Sequence, residues 1–183
     1  MSAARASTQD VQRLRAESGA GVMDCKRALD EAEGDFDKAR ELLKQRGLAR
    51  SGQKVGRDVK EGVVEAYVHA GGRIGALVEL SSETDFVART PEFRELARGI
   101  AMQVAAMAPK VVSEEQLSEE QRGSLIDEHG DPRAALEAGV LLRQPYIRDN
   151  SKTIGDLVTA MAAATGENVR VRRIARFELG DTG

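Results

Sequence analysis

The chain has 183 residues, a formal net charge of −3, and 41% hydrophobic but only 3% aromatic residues. That length suits one compact domain, or a medium domain with a small appendage, with a core built from Ala, Leu, Val, Ile and Met. Mild acidity argues against a dominant nucleic-acid surface, and the single cysteine, Cys25, allows no intrachain disulfide and points to a reducing compartment.

Three short helices are expected over residues 7–47. Ser7 and Asp10 have capping-box spacing, Val11, Leu14 and Arg15 follow at helical intervals, and Gly19 ends the run. Gly21 opens a second helix with Val22, Cys25, Ala28, Leu29 and Ala32 on its apolar face. Gly34 stops it, where a left-handed cap is cheap for glycine. Asp35 caps a third helix, which carries Phe36, Ala39, Leu42 and Leu43 and ends at Gly47. Residues 48–61 read as a linker. Its Arg50, Lys54, Arg57 and Lys60 are a solvated charge run or, alternatively, a phosphate contact.

From Gly62 the period changes to two. Val64, Ala66 and Val68 alternate in one strand, Gly71-Gly72 signals a hairpin turn, and Ile74, Ala76, Val78 and Leu80 alternate in the next. Thr90 and Pro91 open a strong helix striped by Phe93, Leu96, Ile100, Met102 or Gln103, Val104 and Met107, and Pro109 stops it. Ser113-Glu114-Glu115, Ser118-Glu119-Glu120 and Pro132 mark helix starts in a less regular excursion over 110–150. Ser151 caps a helix carrying Ile154, Leu157, Val158 and Met161 that ends near Gly166. Val169, Val171, Arg173, Ala175 and Phe177 alternate in a final strand.

The expected fold class is α+β: a three-helix bundle over 1–47, a linker over 48–61, and a core over 62–183 in which a three-stranded antiparallel sheet packs on helices. Val64, Ala66, Val68, Ile74, Val78 and Leu80 are expected to face the helices. Val63, Tyr67, Leu77 and Ile174 are left on a half-apolar face that is expected to self-associate.

The sequence presents no catalytic constellation. His69 and His129 lie far apart, and Cys25 falls on an apolar helix face, where thiols are usually inert. Metal-ligand spacings and phosphate-loop glycines are lacking, so a non-enzyme with no metal or cofactor is expected. No apolar run approaches bilayer-spanning length, and the opening Met1-Ser2-Ala3-Ala4-Arg5 lacks a signal-peptide stretch, so a cytoplasmic protein without membrane contact is expected. Arg170, Arg172, Arg173 and Arg176 on the last strand read as charges that resist edge pairing, or as an RNA-binding strip. Thr84-Asp85-Phe86-Val87 lies between a strand and a helix start. An aromatic there either closes a core or enters a partner, and Asp85 either caps the turn or contacts that partner.

Several runs resemble the bacterial elongation factor Ts family. Leu14-Arg15-Ala16-Glu17-Ser18-Gly19-Ala20-Gly21-Val22-Met23-Asp24-Cys25-Lys26-Arg27-Ala28-Leu29 resembles its opening helices, and Thr84-Asp85-Phe86-Val87-Ala88 its central motif. Gln144-Pro145-Tyr146, Ser151-Lys152-Thr153, Val171-Arg172-Arg173 and Arg176-Phe177-Glu178 resemble its C-terminal half, while 110–140 matches least well. The resemblance implies guanine-nucleotide exchange on elongation factor Tu during translation. It implies a ubiquitin-associated-like N-terminal bundle that docks on the partner through Arg15, Val22 and Met23; the family pattern has Met where Val22 stands. It further implies that Asp85 and Phe86, flanked by Thr84 and Val87, enter the partner near its magnesium site. His69 would make a second contact, or else is a solvated hairpin histidine. The chain resembles short members of the family, which lack a C-terminal helical module and homodimerise. The competing reading is a ribosome- or RNA-associated protein that uses the Arg170–Arg176 strand.

Overall fold

A computed structural model describes residues 7–18, 20–54 and 59–181. The chain divides into two units, residues 1–58 with 159–168 and residues 59–158 with 169–183.

In the first unit, Ser7 caps α1 (Thr8–Ser18) by accepting the Asp10 backbone N–H at 3.0 Å. Gly21 precedes α2 (Val22–Glu31), and Asp35 caps α3 (Phe36–Lys54) by accepting the Lys38 N–H at 3.0 Å. Gly34 makes the turn between them at φ +87, and its N–H donates to the Leu29 carbonyl at 2.9 Å. Leu14, Cys25, Ala28, Leu29 and Ala39 are buried in a shared core against which Phe36 and Leu42 pack. The expected stop at Gly47 does not occur: α3 continues to Lys54, because one glycine inside a helix costs only about 1 kcal/mol. The expected stop at Gly19 and the charge of Arg57 lie outside the described residues.

In the second unit, β1 (Glu61–Val68) pairs antiparallel with β2 (Ile74–Ser82). The strand β5 (Arg170–Glu178) pairs antiparallel along the other edge of β2, so the sheet order is β1-β2-β5. The fold class is therefore α+β. Every β1–β2 pair joins an even to an odd residue: Val64 opposes Glu79, Ala66 opposes Leu77 and Tyr67 opposes Ala76. Opposed residues share a face. Val64, Ala66 and Val68 thus lie with Leu77 on the open side, not with Val78 and Leu80 against the helices. This inverts the expectation for β1, which followed alternation within each strand and not the pairing across the hairpin. Val63 and Tyr67 fall on the helix-covered side, and so does Ile174, which opposes Val78. Of the four residues expected on the free face, Leu77 alone is there. The β2–β5 register shifts between Glu79 and Leu80, so the strict alternation expected of β5 breaks beside Arg173.

The covered side packs on α5 (Pro91–Met107). Thr90 caps α5 by accepting the Phe93 N–H at 3.3 Å, Pro91 occupies the first turn, and Ala108 ends it at φ 47 before Pro109. Phe93, Ala97, Ile100, Ala101 and Val104 are buried, while Met107 is exposed. Aliphatic side chains with the single ring of Phe93 fill this part of the core, so a chain poor in aromatics still closes it.

After Pro109, Ser113 donates its N–H to Gln116 Oε1 around a 3₁₀ turn (Glu114–Gln116), at 3.3 Å. Ser118 and Gln121 form a capping box on α6 (Glu119–His129), and Asp131 caps α7 (Pro132–Gly139), which packs on α6. A second hairpin, β3 (Pro145–Tyr146) with β4 (Asp149–Thr153), was not foreseen. Ser151 lies in β4 and donates to Asp149, holding that carboxyl below its usual range, so it is not a helix cap. Thr153 caps α8 (Ile154–Thr165) instead. Its Oγ1 accepts the Asp156 N–H at 3.0 Å, and the Asp156 carboxylate accepts the Thr153 N–H at 3.0 Å.

Gln103 takes the inner position on α5 that Met102 could have filled. Its Nε2 donates to Gln144 Oε1 and to the Pro145 carbonyl, both at 3.1 Å, and its Oε1 accepts the Ile147 N–H at 2.9 Å. Gln144 Nε2 in turn donates to the Ala138 carbonyl at 2.9 Å, which ties α5 to α7 and the β3–β4 hairpin. Removing one member leaves its buried partners unsatisfied, which costs more than the bond itself contributes. Gln103→Leu is expected to lower the unfolding free energy by about 2–4 kcal/mol in a urea titration. A change below about 0.5 kcal/mol would show that the network is not a structural tie.

Candidate functional site

Where β2 ends, the chain makes one tight turn before α5. Ser82 Oγ donates to the Thr84 carbonyl at 2.9 Å. Thr84, extended at φ −124, caps a single helical turn, α4 (Asp85–Ala88). The Val87 N–H donates to Thr84 Oγ1 at 3.4 Å, and Thr90 Oγ1 donates to the Val87 carbonyl at 2.8 Å. The Val87 and Ala88 side chains are buried. One helical turn cannot bury every side, so Asp85, Phe86 and Arg89 face solvent.

Phe86 is 79% exposed, whereas Phe93 on the next helix is 0% exposed. Full burial of a Phe side chain is worth about 1.5–3 kcal/mol, which Phe86 forfeits. The core-plug reading of Phe86 is thereby excluded. Val87 plays that part, and its buried side chain shapes the turn from within. The turn cap is Thr84, not Asp85. The Asp85 carboxylate pairs with Arg89, Oδ2 to Nη2 at 2.8 Å. Exposed pairs of this kind contribute only about 0.2–1 kcal/mol. Sequence reasoning passed over Arg89, although its four-residue offset from Asp85 was a legible signal.

His69 is exposed at the β1–β2 turn, with its Nδ1 3.1 Å from the Tyr67 hydroxyl. In the first unit, Arg15 is exposed on α1, and Val22 and Met23 are exposed on the first turn of α2, just ahead of the buried Cys25. The open sheet face carries Val64, Val68, Leu77 and Phe177, all exposed, and Phe177 is 70% so. Register arithmetic across the Gly71-Gly72 turn could have placed the first three.

The arginines of β5 are engaged within the chain. Arg173 Nε lies 2.6 Å and Arg172 Nε 3.8 Å from the two Glu79 oxygens. Arg176 donates to the Ala105 carbonyl at 3.0 Å and pairs with Glu178 at 2.8 Å. Among the described residues, no group of three or more His, Cys, Asp or Glu is placed to hold a metal ion. Among them, too, no helix is long and apolar enough to cross a membrane.

A family model described as Elongation factor TS matches residues 3–124. Elongation factor Ts of Carboxydothermus hydrogenoformans is 47% identical to this chain over 195 positions, covering 96% of this chain and 89% of that protein. Elongation factor Ts of Thermotoga neapolitana is 46% identical over 190 positions, covering 94% and 96%. The protein of the same name from Caldanaerobacter subterraneus is 46% identical over 195 positions, covering 96% and 97%. With an aromatic–acid tip on a capped turn and relatives this close along nearly its whole length, the chain belongs to the elongation factor Ts family.

Proposed function

We propose that this chain speeds GDP release from elongation factor Tu by pressing the Asp85–Phe86 tip against the partner's magnesium and phosphate site. Membership of the family makes it a translation elongation factor, and nucleotide exchange is the role of that family. The observation that carries the mechanism is a ring left 79% exposed on a turn whose backbone is capped from both sides. Such a ring supplies apolar volume that displaces partner side chains. Magnesium demands near-ideal octahedral geometry, and a shift of about an ångström in the helices that hold it degrades that geometry. Exchange also obeys linkage: a factor that weakens nucleotide binding is itself weakened, by the same ratio, when nucleotide returns.

In this reading the segment 1–47 is a ubiquitin-associated-like bundle that docks on the partner through Arg15, Val22 and Met23, all exposed as docking requires. Residues 48–61 connect it to the 62–183 core, and within them 48–54 continue α3. His69 makes a second contact from the hairpin. The protein works in the cytoplasm, without direct nucleic-acid contact, and pairs with a second copy of itself. The pairing surface is the open sheet face of Val64, Val68, Leu77 and Phe177, since contiguous exposed apolar patches mark interfaces.

Phe86→Ala is expected to cut the acceleration of fluorescent-GDP release at least tenfold, about 1.4 kcal/mol, and to leave the unfolding midpoint unchanged. Full acceleration by that variant would remove the wedge from the mechanism. Light scattering at micromolar concentration is expected to give twice the 19.8 kDa chain mass, and Leu77→Asp to give the single mass. A monomeric wild-type chain would exclude self-pairing.

A further inference from the structure

We propose that Arg89 is a positioning residue whose guanidinium holds the Asp85 carboxylate in the orientation that the tip presents to the GTPase. The inference rests on the wedge reading above and deepens it.

The backbone of the tip is already fixed. The Arg89 N–H donates to the Asp85 carbonyl at 3.1 Å and the Thr90 N–H to the Val87 carbonyl at 3.0 Å, besides the two threonine hydroxyl bonds. What the backbone leaves open is the Asp85 side chain, which in water samples three staggered χ1 wells. Arg89 Nη2, 2.8 Å from Asp85 Oδ2, selects among them. Both side chains are largely exposed, so the pair adds little to folding. Its consequence falls on the orientation and charge of the carboxylate.

Orientation matters because a group held ready before contact loses less freedom on docking. Charge matters because the tip approaches the phosphates of a bound nucleotide. A bare carboxylate there is repelled, whereas an Asp85–Arg89 pair arrives close to neutral. Arginine suits this role, since one N–H serves Asp85 and the rest of its planar fork keeps a fixed geometry that a lysine ammonium lacks. The four-residue offset around one turn places the guanidinium on the same side as the carboxylate.

The test uses the full chain and two readouts. The first is exchange on elongation factor Tu loaded with fluorescent GDP. The second is the set of Asp85 χ1 couplings measured by NMR in the free protein. Arg89→Ala is expected to slow release about three- to tenfold, with an unchanged unfolding midpoint and rotamer-averaged Asp85 couplings. Arg89→Lys is expected to restore part of the rate. The Asp85→Ala, Arg89→Ala double variant is expected to be no slower than Asp85→Ala alone, since Arg89 acts through Asp85.

A single fixed Asp85 rotamer in Arg89→Ala would overturn the proposal. Multiplicative losses in the double variant would do the same, because Arg89 would then act on the partner by itself. Phe86→Ala serves as the control for the wedge. Full release by that variant would sink the wedge reading, and the NMR couplings would then decide the positioning role by themselves: averaging upholds it and a fixed rotamer overturns it.

Discussion

The two backbone groups of Val87 are the fixed point on which the tip depends. One threonine accepts its N–H and another donates to its carbonyl. The second of these, Thr90, also caps α5 through the same oxygen. The single turn of α4 is thereby locked to the helix that follows it. That helix packs on the sheet and is tied to the β3–β4 hairpin through Gln103. A short bonded path therefore runs from the exposed ring into the body of the second unit. The proposed wedge needs this property, because a ring on a slack loop would fold back or yield before a partner did.

A second constraint is the parity of the β1–β2 register. Even opposes odd throughout, so the turn decides which alternating set of β1 meets α5. A slip of one residue would exchange every side chain between the faces. The observed register leaves Val64, Val68 and Leu77 open beside Phe177 of β5. The bulge opposite Glu79 lets two arginines reach one carboxylate. Arg172 and Arg173 of β5 thus pair within the sheet that carries them.

The features legible in the sequence were those set by neighbouring residues. Ser7 with Asp10, Gly34, Asp35, Ser118 before Glu119-Glu120, and Thr90 before Pro91 each act within a turn or two, and the structure uses all of them. The position of the tip was equally plain, because strand and helix signals flank Thr84–Val87. What escaped depends on pairing or on competition between local signals. The faces of β1 follow from its partner strand, not from its own alternation. Ser151 and Thr153 are both fit to cap, and Asp156 decided for Thr153. Strand β3 is too short to show a period. Gly47 has a stop signal's identity, but a single glycine costs a helix only about 1 kcal/mol, too little to end it. Within the tip, the inward role of Val87 and the partner of Asp85 both required the turn to be drawn in three dimensions.

The single thiol has a consequence for assembly. Cys25 is completely enclosed by the three-helix core, and the chain has no other sulfhydryl. Two copies have no accessible pair of sulfurs to weld them together, so any association between them is reversible and obeys mass action. Dilution alone would then dissolve such an association, and the abundance of the chain in its surroundings would act as a dial on how far it forms.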